Sequence, residues 1–224
     1  MLTVSLELQG TNTSLSYHKV MAWLSPGYPI GSFAYSHGLE IEIASGEIST
    51  RKDVEEWIES LLRNGSGWND LVLFSQAYRS DRNSLEEISD LAKALAPSRE
   101  RYEETLALGY AFAKVTSQIM EKKCTGMPLP VVMGFKSKIE NIPLEYVLPL
   151  YAHNFTANLI SVGIRLIPLG QTEGQRALFN LFPVMEEMAR AALAAKLTDL
   201  KNSCMLADIA SMRHETLKTR IFRS

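Results

Sequence analysis

Thr50-Arg51-Lys52-Asp53-Val54-Glu55-Glu56-Trp57-Ile58-Glu59-Ser60-Leu61-Leu62-Arg63-Asn64-Gly65 is the stretch whose reading decides the fold class of this chain. Thr50 and Asp53 have the spacing of a capping box, in which each side chain satisfies a backbone N–H at a helix start. Val54, Trp57, Ile58, Leu61 and Leu62 then recur at i, i+3, i+4, i+7 and i+8, which lines one face of an α-helix. Gly65 follows as the residue that ends such a helix.

The same grammar repeats outward. Ser84 with Glu87 reads as a second capping box before Leu85, Ile88, Leu91, Ala92 and Leu95, and Pro97 stops that run. Ser98 is placed to cap a helix from Arg99 to about Lys122, with Tyr102, Leu106, Gly109, Ala113 and Thr116 at three- and four-residue steps. Pro143 suits the first position of a helix whose stripe is Val147, Tyr151, Phe155, Leu159 and Val162. Thr172 and Gln175 read as a third capping box, opening a helix through Leu178, Leu181, Phe182, Met185, Met188 and Ala192, with a kink expected at Pro183.

The interruption lies at Cys124 to Asn141. Its Gly126, Pro128, Pro130 and Gly134 suggest a structured loop or a short helical turn, and Val131-Val132-Met133 is too short for a strand. No sustained period-two alternation occurs. The expectation is an all-α, single-domain compact helical bundle of roughly eight to ten helices over residues 1–224. Residues 1–14 and 211–224 are expected as flexible or partner-ordered tails.

Composition narrows the function classes. A hydrophobic fraction of 46% over 224 residues suits a globular domain, and no apolar run approaches the roughly 18 residues of a membrane span. Net charge is −2 without a basic stripe, so neither nucleic acid nor a membrane is expected as partner. The opening Met1–Glu7 lacks a basic segment followed by an apolar core, and two cysteines make no disulfide scaffold. A cytoplasmic location is expected.

Ser25 to Glu40 packs prolines, glycines, aromatics and His37 into sixteen residues. Pro26, Gly27, Pro29 and Gly31 imply a rigid loop, with Ser32 placed to cap a helix running from Phe33 towards Ala44. Such a loop suits contact better than catalysis. His37 reads as a packing or hydrogen-bonding residue, and the doublets Glu55-Glu56, Glu103-Glu104 and Glu186-Glu187 read as solvated helix faces. No P-loop, no dinucleotide or hydrolase glycine motif, no Cys-x-x-Cys and no His-Glu-x-x-His occurs, so local spacing offers no catalytic or metal site.

Three strings together resemble the urease accessory protein F (UreF) family. Ser25, Pro26, Pro29, Gly31, Phe33, Ser36, Gly38, Leu39 and Glu40 fill its first motif. Arg165, Leu166, Pro168, Leu169, Gly170, Gln171, Gly174 and Gln175 fill its second. Met212-Arg213-His214-Glu215-Thr216 and Arg220-Ile221-Phe222-Arg223-Ser224 resemble its ending. One departure is central: the family commonly has a histidine before a proline where this chain has Leu129-Pro130.

The resemblance implies a homodimeric all-α protein without catalytic activity. It would bridge a UreD/UreH-type accessory protein and a UreG-type GTPase, regulating GTP hydrolysis coupled to nickel insertion into apo-urease. Nickel and GTP would be handled by those partners, leaving this chain with no cofactor or metal. Partner contacts are expected among Tyr28, Phe33, Tyr35, His37, Gln171, Gln175, Arg213, Arg220, Phe222 and Arg223. The alternatives are a nickel-binding metallochaperone, which the scattered histidines disfavour, and a helical enzyme of unknown activity.

Overall fold

The computed structural model describes residues 15–121 and 123–224, so the expected tail at 1–14 lies outside the described residues. Helix α1 covers residues 15–24. A 3₁₀ turn at Ser32–Ala34 leads to α2 (Leu39–Ser45), α3 (Arg51–Asn64) and α4 (Ser66–Arg79). Then come α5 (Ser84–Ala94), α6 (Arg99–Met120), α7 (Leu129–Ile139), α8 (Leu144–Leu166) and α9 (Gly170–Ala192). A second 3₁₀ turn, Leu197–Asp199, precedes α10 (Met205–His214). No strand occurs among the described residues. The molecule is a compact, all-helical bundle.

Helix α4 is the hub, packed by α3, α5, α7, α8 and α9. Trp68, Leu71, Val72, Leu73, Phe74 and Ala77 are all buried, so its apolar surface runs well round the helix, as a central position requires. Gly134 of α7 faces it so closely that a Cβ there would lie 2.3 Å from the Phe74 carbonyl oxygen. Polar side chains of α4 pin the chain after α9. Trp68 donates to the Asp199 carbonyl at 2.6 Å, and Asn69 exchanges two hydrogen bonds with the Lys201 backbone at 2.7 and 2.8 Å. A smaller apolar cluster, with Leu73, Leu85, Ile88 and Val131, ties α5 to α4 and α7.

The Thr50–Asp53 box is present with both hydrogen bonds, and Ser98 caps α6 by accepting from Arg101 N at 3.1 Å. Other boundaries differ from the sequence reading. No single helix spans Phe33 to Ala44: Gly31, His37 and Gly38 have φ of 78°, 52° and 77°, and these left-handed residues split it into the 3₁₀ turn and α2. Ser84 and Glu87 form no box, because Asp81 accepts from the N–H groups of Asn83 and Ser84 instead. Helix α9 starts at Gly170, so Thr172 lies inside it rather than at its cap, and the helix runs on through Pro183. The expected loop at 124–141 contains an eleven-residue helix, α7, which Pro130 helps to start from its first turn.

Candidate functional site

The first turns of α6 decide where the polar chemistry sits. Glu100, Arg101 and Glu104 share a face with Leu108, and all four are buried. The doublet Glu103-Glu104 is therefore not a solvated face: Glu103 is exposed, but Glu104 is only 3% exposed. Charges placed there need partners. The loop before α2 and the segment after α10 supply them.

Glu104 Oε1 lies 2.6 Å from Arg101 Nη1 and 3.1 Å from His37 Nε2, and its Oε2 accepts from the Ser224 hydroxyl at 3.0 Å. Burial alone would raise its pKa, but Arg101 and His37 outweigh that and hold the carboxyl at about 2. Arg101 also faces Asp70 at 3.9 Å, and Asp70 accepts from Tyr151 at 3.1 Å. Burial raises both the Asp70 and the Tyr151 pKa.

A second knot lies beside the first. The His214 ring is fully buried, with Nδ1 2.7 Å from Glu100 Oε2 and Nε2 2.9 Å from Glu40 Oε2. Glu40 further accepts from Ile221 N at 2.7 Å and Phe222 N at 3.0 Å. Arg220 pairs with the other oxygen of Glu100. Ser36 N donates to the Ser224 carbonyl at 2.6 Å, the Ser36 hydroxyl donates to the same oxygen, and Arg223 N donates to Ala34 O at 2.8 Å. Above this sits Arg165, its guanidinium 5.1 Å from the Phe222 ring and 6.0 Å from the Phe33 ring. Gly38 permits the close fit, since a Cβ on it would meet Ala210 Cβ at 2.8 Å.

The strings at 25–40 and 211–224 thus converge, together with Arg165 of the 165–175 string. Residues 211–224 are seated on the chain's own fold, with Ser211, His214, Phe222 and Ser224 buried. The expected contact residues divide. Tyr28 is buried, its hydroxyl 2.9 Å from Thr116 Oγ1. Tyr35 and His37 are buried too; burial raises the Tyr35 pKa, with Arg223 acting against it. His37 packs edge-on to Phe155 at 4.9 Å. Phe222 is 3% exposed. Phe33, Gln171, Gln175, Arg213, Arg220 and Arg223 reach the surface.

Sequence reasoning missed Arg101, Glu104, Asp70 and His214 as members of one cluster. A signal existed in Glu100, Glu104 and Leu108, which share a helical face at four-residue steps. The cavity under the cluster, bounded by Tyr35, His37, Asp70, Arg101, Glu104 and Tyr151, has a volume of ≈ 50 Å³, room for a few water molecules. The charged groups pair chiefly with one another, with Arg101 Nε left as a buried donor that has no hydrogen-bond partner. What the arrangement does is latch the tail.

The latch supports a surface. On α10, Met205, Leu206, Ile209 and Met212 are 71%, 77%, 44% and 49% exposed, and Ile221 beyond it is 70% exposed. Among the described residues no three or more His, Cys, Asp or Glu side chains group as a metal site, and no helix is long and apolar enough to cross a membrane.

The UreF family model matches residues 48–182. The urease accessory protein UreF of Cereibacter sphaeroides (strain ATCC 17025) is 44% identical over 205 residues, covering 92% of this chain and 97% of that protein. The one from Roseobacter denitrificans is 41% identical over 202 residues, covering 90% and 91%. The one from Rhodopseudomonas palustris (strain BisA53) is 41% identical over 220 residues, covering 92% of each.

Proposed function

The chain belongs to the UreF family of urease accessory proteins, and we propose that it acts as a non-catalytic scaffold in urease maturation. In this reading it joins a UreD/UreH-type accessory protein to a UreG-type GTPase in the cytoplasm. It regulates the GTP hydrolysis that accompanies nickel insertion into apo-urease. Nickel and GTP are substrates of the assembly and are held by the partners.

The observation that carries this reading is the latched tail. A buried lattice of charged groups is a costly way to anchor a chain end, and the apolar groups left exposed on α10 and at Ile221 belong against another protein. Met205, Leu206, Ile209, Met212 and Ile221 supply the apolar centre of such a contact, and Arg213, Arg220 and Arg223 supply its rim. A homodimer is supported by a separate surface. Phe179 is 64% exposed and lies tilted against Phe182 with ring centroids 4.8 Å apart, and the His153 ring is 6.0 Å from that of Phe182.

The test is co-purification. The pair Met205→Ser/Leu206→Ser alters two exposed side chains and is expected to fold normally, with pull-down of the accessory protein or the GTPase reduced about tenfold or more. Retention of both partners at wild-type levels overturns the reading. Cells carrying this variant are expected to accumulate apo-urease.

A further inference from the structure

A second surface lies away from the tail. A cleft of ≈ 790 Å³ runs between α5 and α7, bordered by residues 123–127. Val132, Phe135 and Ile139 contribute to it at i, i+3 and i+7 of α7, a span of about 10 Å. Val132 is buried, Phe135 half-buried and Ile139 44% exposed, so the apolar surface rises from the base of the cleft towards its lip. Leu85 lines the opposite bank, and the small cluster of Leu73, Leu85, Ile88 and Val131 holds the two helices rigidly together.

The cleft is lined with cations along its length. Arg82 stands at the lead-in to α5, Lys93 in its last turn, and Lys123 on the bordering segment. Leu85 to Lys93 alone spans about 12 Å of helix. Lys93 is paired with Asp90 at 2.7 Å and Lys136 with Glu140 at 2.7 Å. Arg82 and Lys123 are exposed and make no ion pair among the described residues, and Glu86 is the one unpaired acid in the lining. In a chain of net charge −2, two unpaired cations against one unpaired acid leave a small local excess of positive charge beside an apolar floor.

A compact anion would engage one of these cations and leave the floor bare. An apolar molecule would leave the cations unused. A floor at helical spacing with unpaired cations in its lining matches a short helix with an apolar face and carboxylates beside that face. We propose that this cleft receives an acidic amphipathic segment of a partner chain, about two helical turns long. The proposal does not rest on the scaffold reading: it is drawn from the cleft and its charges alone.

The test uses the full chain and a fluorescein-labelled synthetic peptide of roughly 12 residues, with Leu or Phe at i, i+3, i+4 and i+7 and Glu elsewhere. Fluorescence anisotropy is expected to show saturable binding. Arg82→Glu/Lys123→Glu should weaken it at least about tenfold, chiefly through charge repulsion, with far-UV circular dichroism unchanged. Ile139→Asp should weaken it similarly. Absence of saturable binding, or equal affinity for the double variant, overturns the proposal. So does equal binding of a peptide with Lys for Glu, or of one with Ser for Leu and Phe. If the double variant instead loses self-association in sedimentation velocity without peptide, the occupant is a second copy and the proposal falls.

Discussion

Glu104 accepts from Arg101 and Ser224 and lies 3.1 Å from His37 Nε2 while almost wholly out of water, which makes it the residue on which the latch can be tested. Its folded pKa, about 2, lies below the ordinary glutamate value of 4.5. Its contribution to stability is therefore present above about pH 4.5 and is lost as pH falls through the folded value, between about pH 4.5 and 2. Urea midpoints measured against pH should fall in that window, and Glu104→Gln should flatten the fall. At neutral pH the same substitution leaves Arg101 buried beside a neutral amide, and a loss of about 3–5 kcal/mol in urea unfolding is expected. Glu104 was misread in the sequence for a physical reason. A buried carboxylate whose partner Ser224 lies 120 residues away looks like any solvated glutamate to a hydropathy pattern. By contrast His37, expected as a packing and hydrogen-bonding residue, is buried against Phe155 and beside Glu104.

Among the elements, α3, α6, α8 and α9 were legible from their apolar spacing, and α3 and α6 also keep their expected caps. In α6, however, Tyr102 is exposed and Leu106 is only half-buried, and Leu108 and Phe112 fill the buried face beside Gly109, Ala113 and Thr116. Helix α7 was not, since Pro128, Pro130 and Gly134 are breakers by propensity, yet the site they occupy rewards them. Pro130 falls in the first turn, where its missing N–H is no loss, and Gly134 admits the Phe74 carbonyl. Gly134→Ala should cost about 1–3 kcal/mol of stability in urea unfolding, because the obstacle is backbone and α4 must shift. The tail responds differently. Phe222→Ala removes a buried ring that packs under Arg165, and should shift the balance towards a detached tail by about 3 kcal/mol. Trypsin should then cut at Lys218, Arg220 or Arg223 far faster than in the parent, while the melting of the body changes little.

For the molecule as a whole, fold class followed from periodicity alone, whereas the meeting of residues near 36, 100, 165 and 222 did not. No local pattern records which polar groups will face one another after packing. Self-association, if it uses the aromatic surface of α8 and α9, should be lost in sedimentation velocity on Phe179→Asp, with helicity retained. A final consequence concerns the order of synthesis. The Ser36–Ser224 contact joins residues 188 apart. At about 5–20 residues per second, roughly 10–40 s separate the emergence of its two halves. Until residues 214–224 have been made, Glu40, Glu100 and Glu104 are without the donors that those residues supply, so the latch closes only after the helices it fastens have emerged. A product truncated before Arg220 would leave Glu100 with His214 alone and the Glu40 carboxylate without the Ile221 and Phe222 amides.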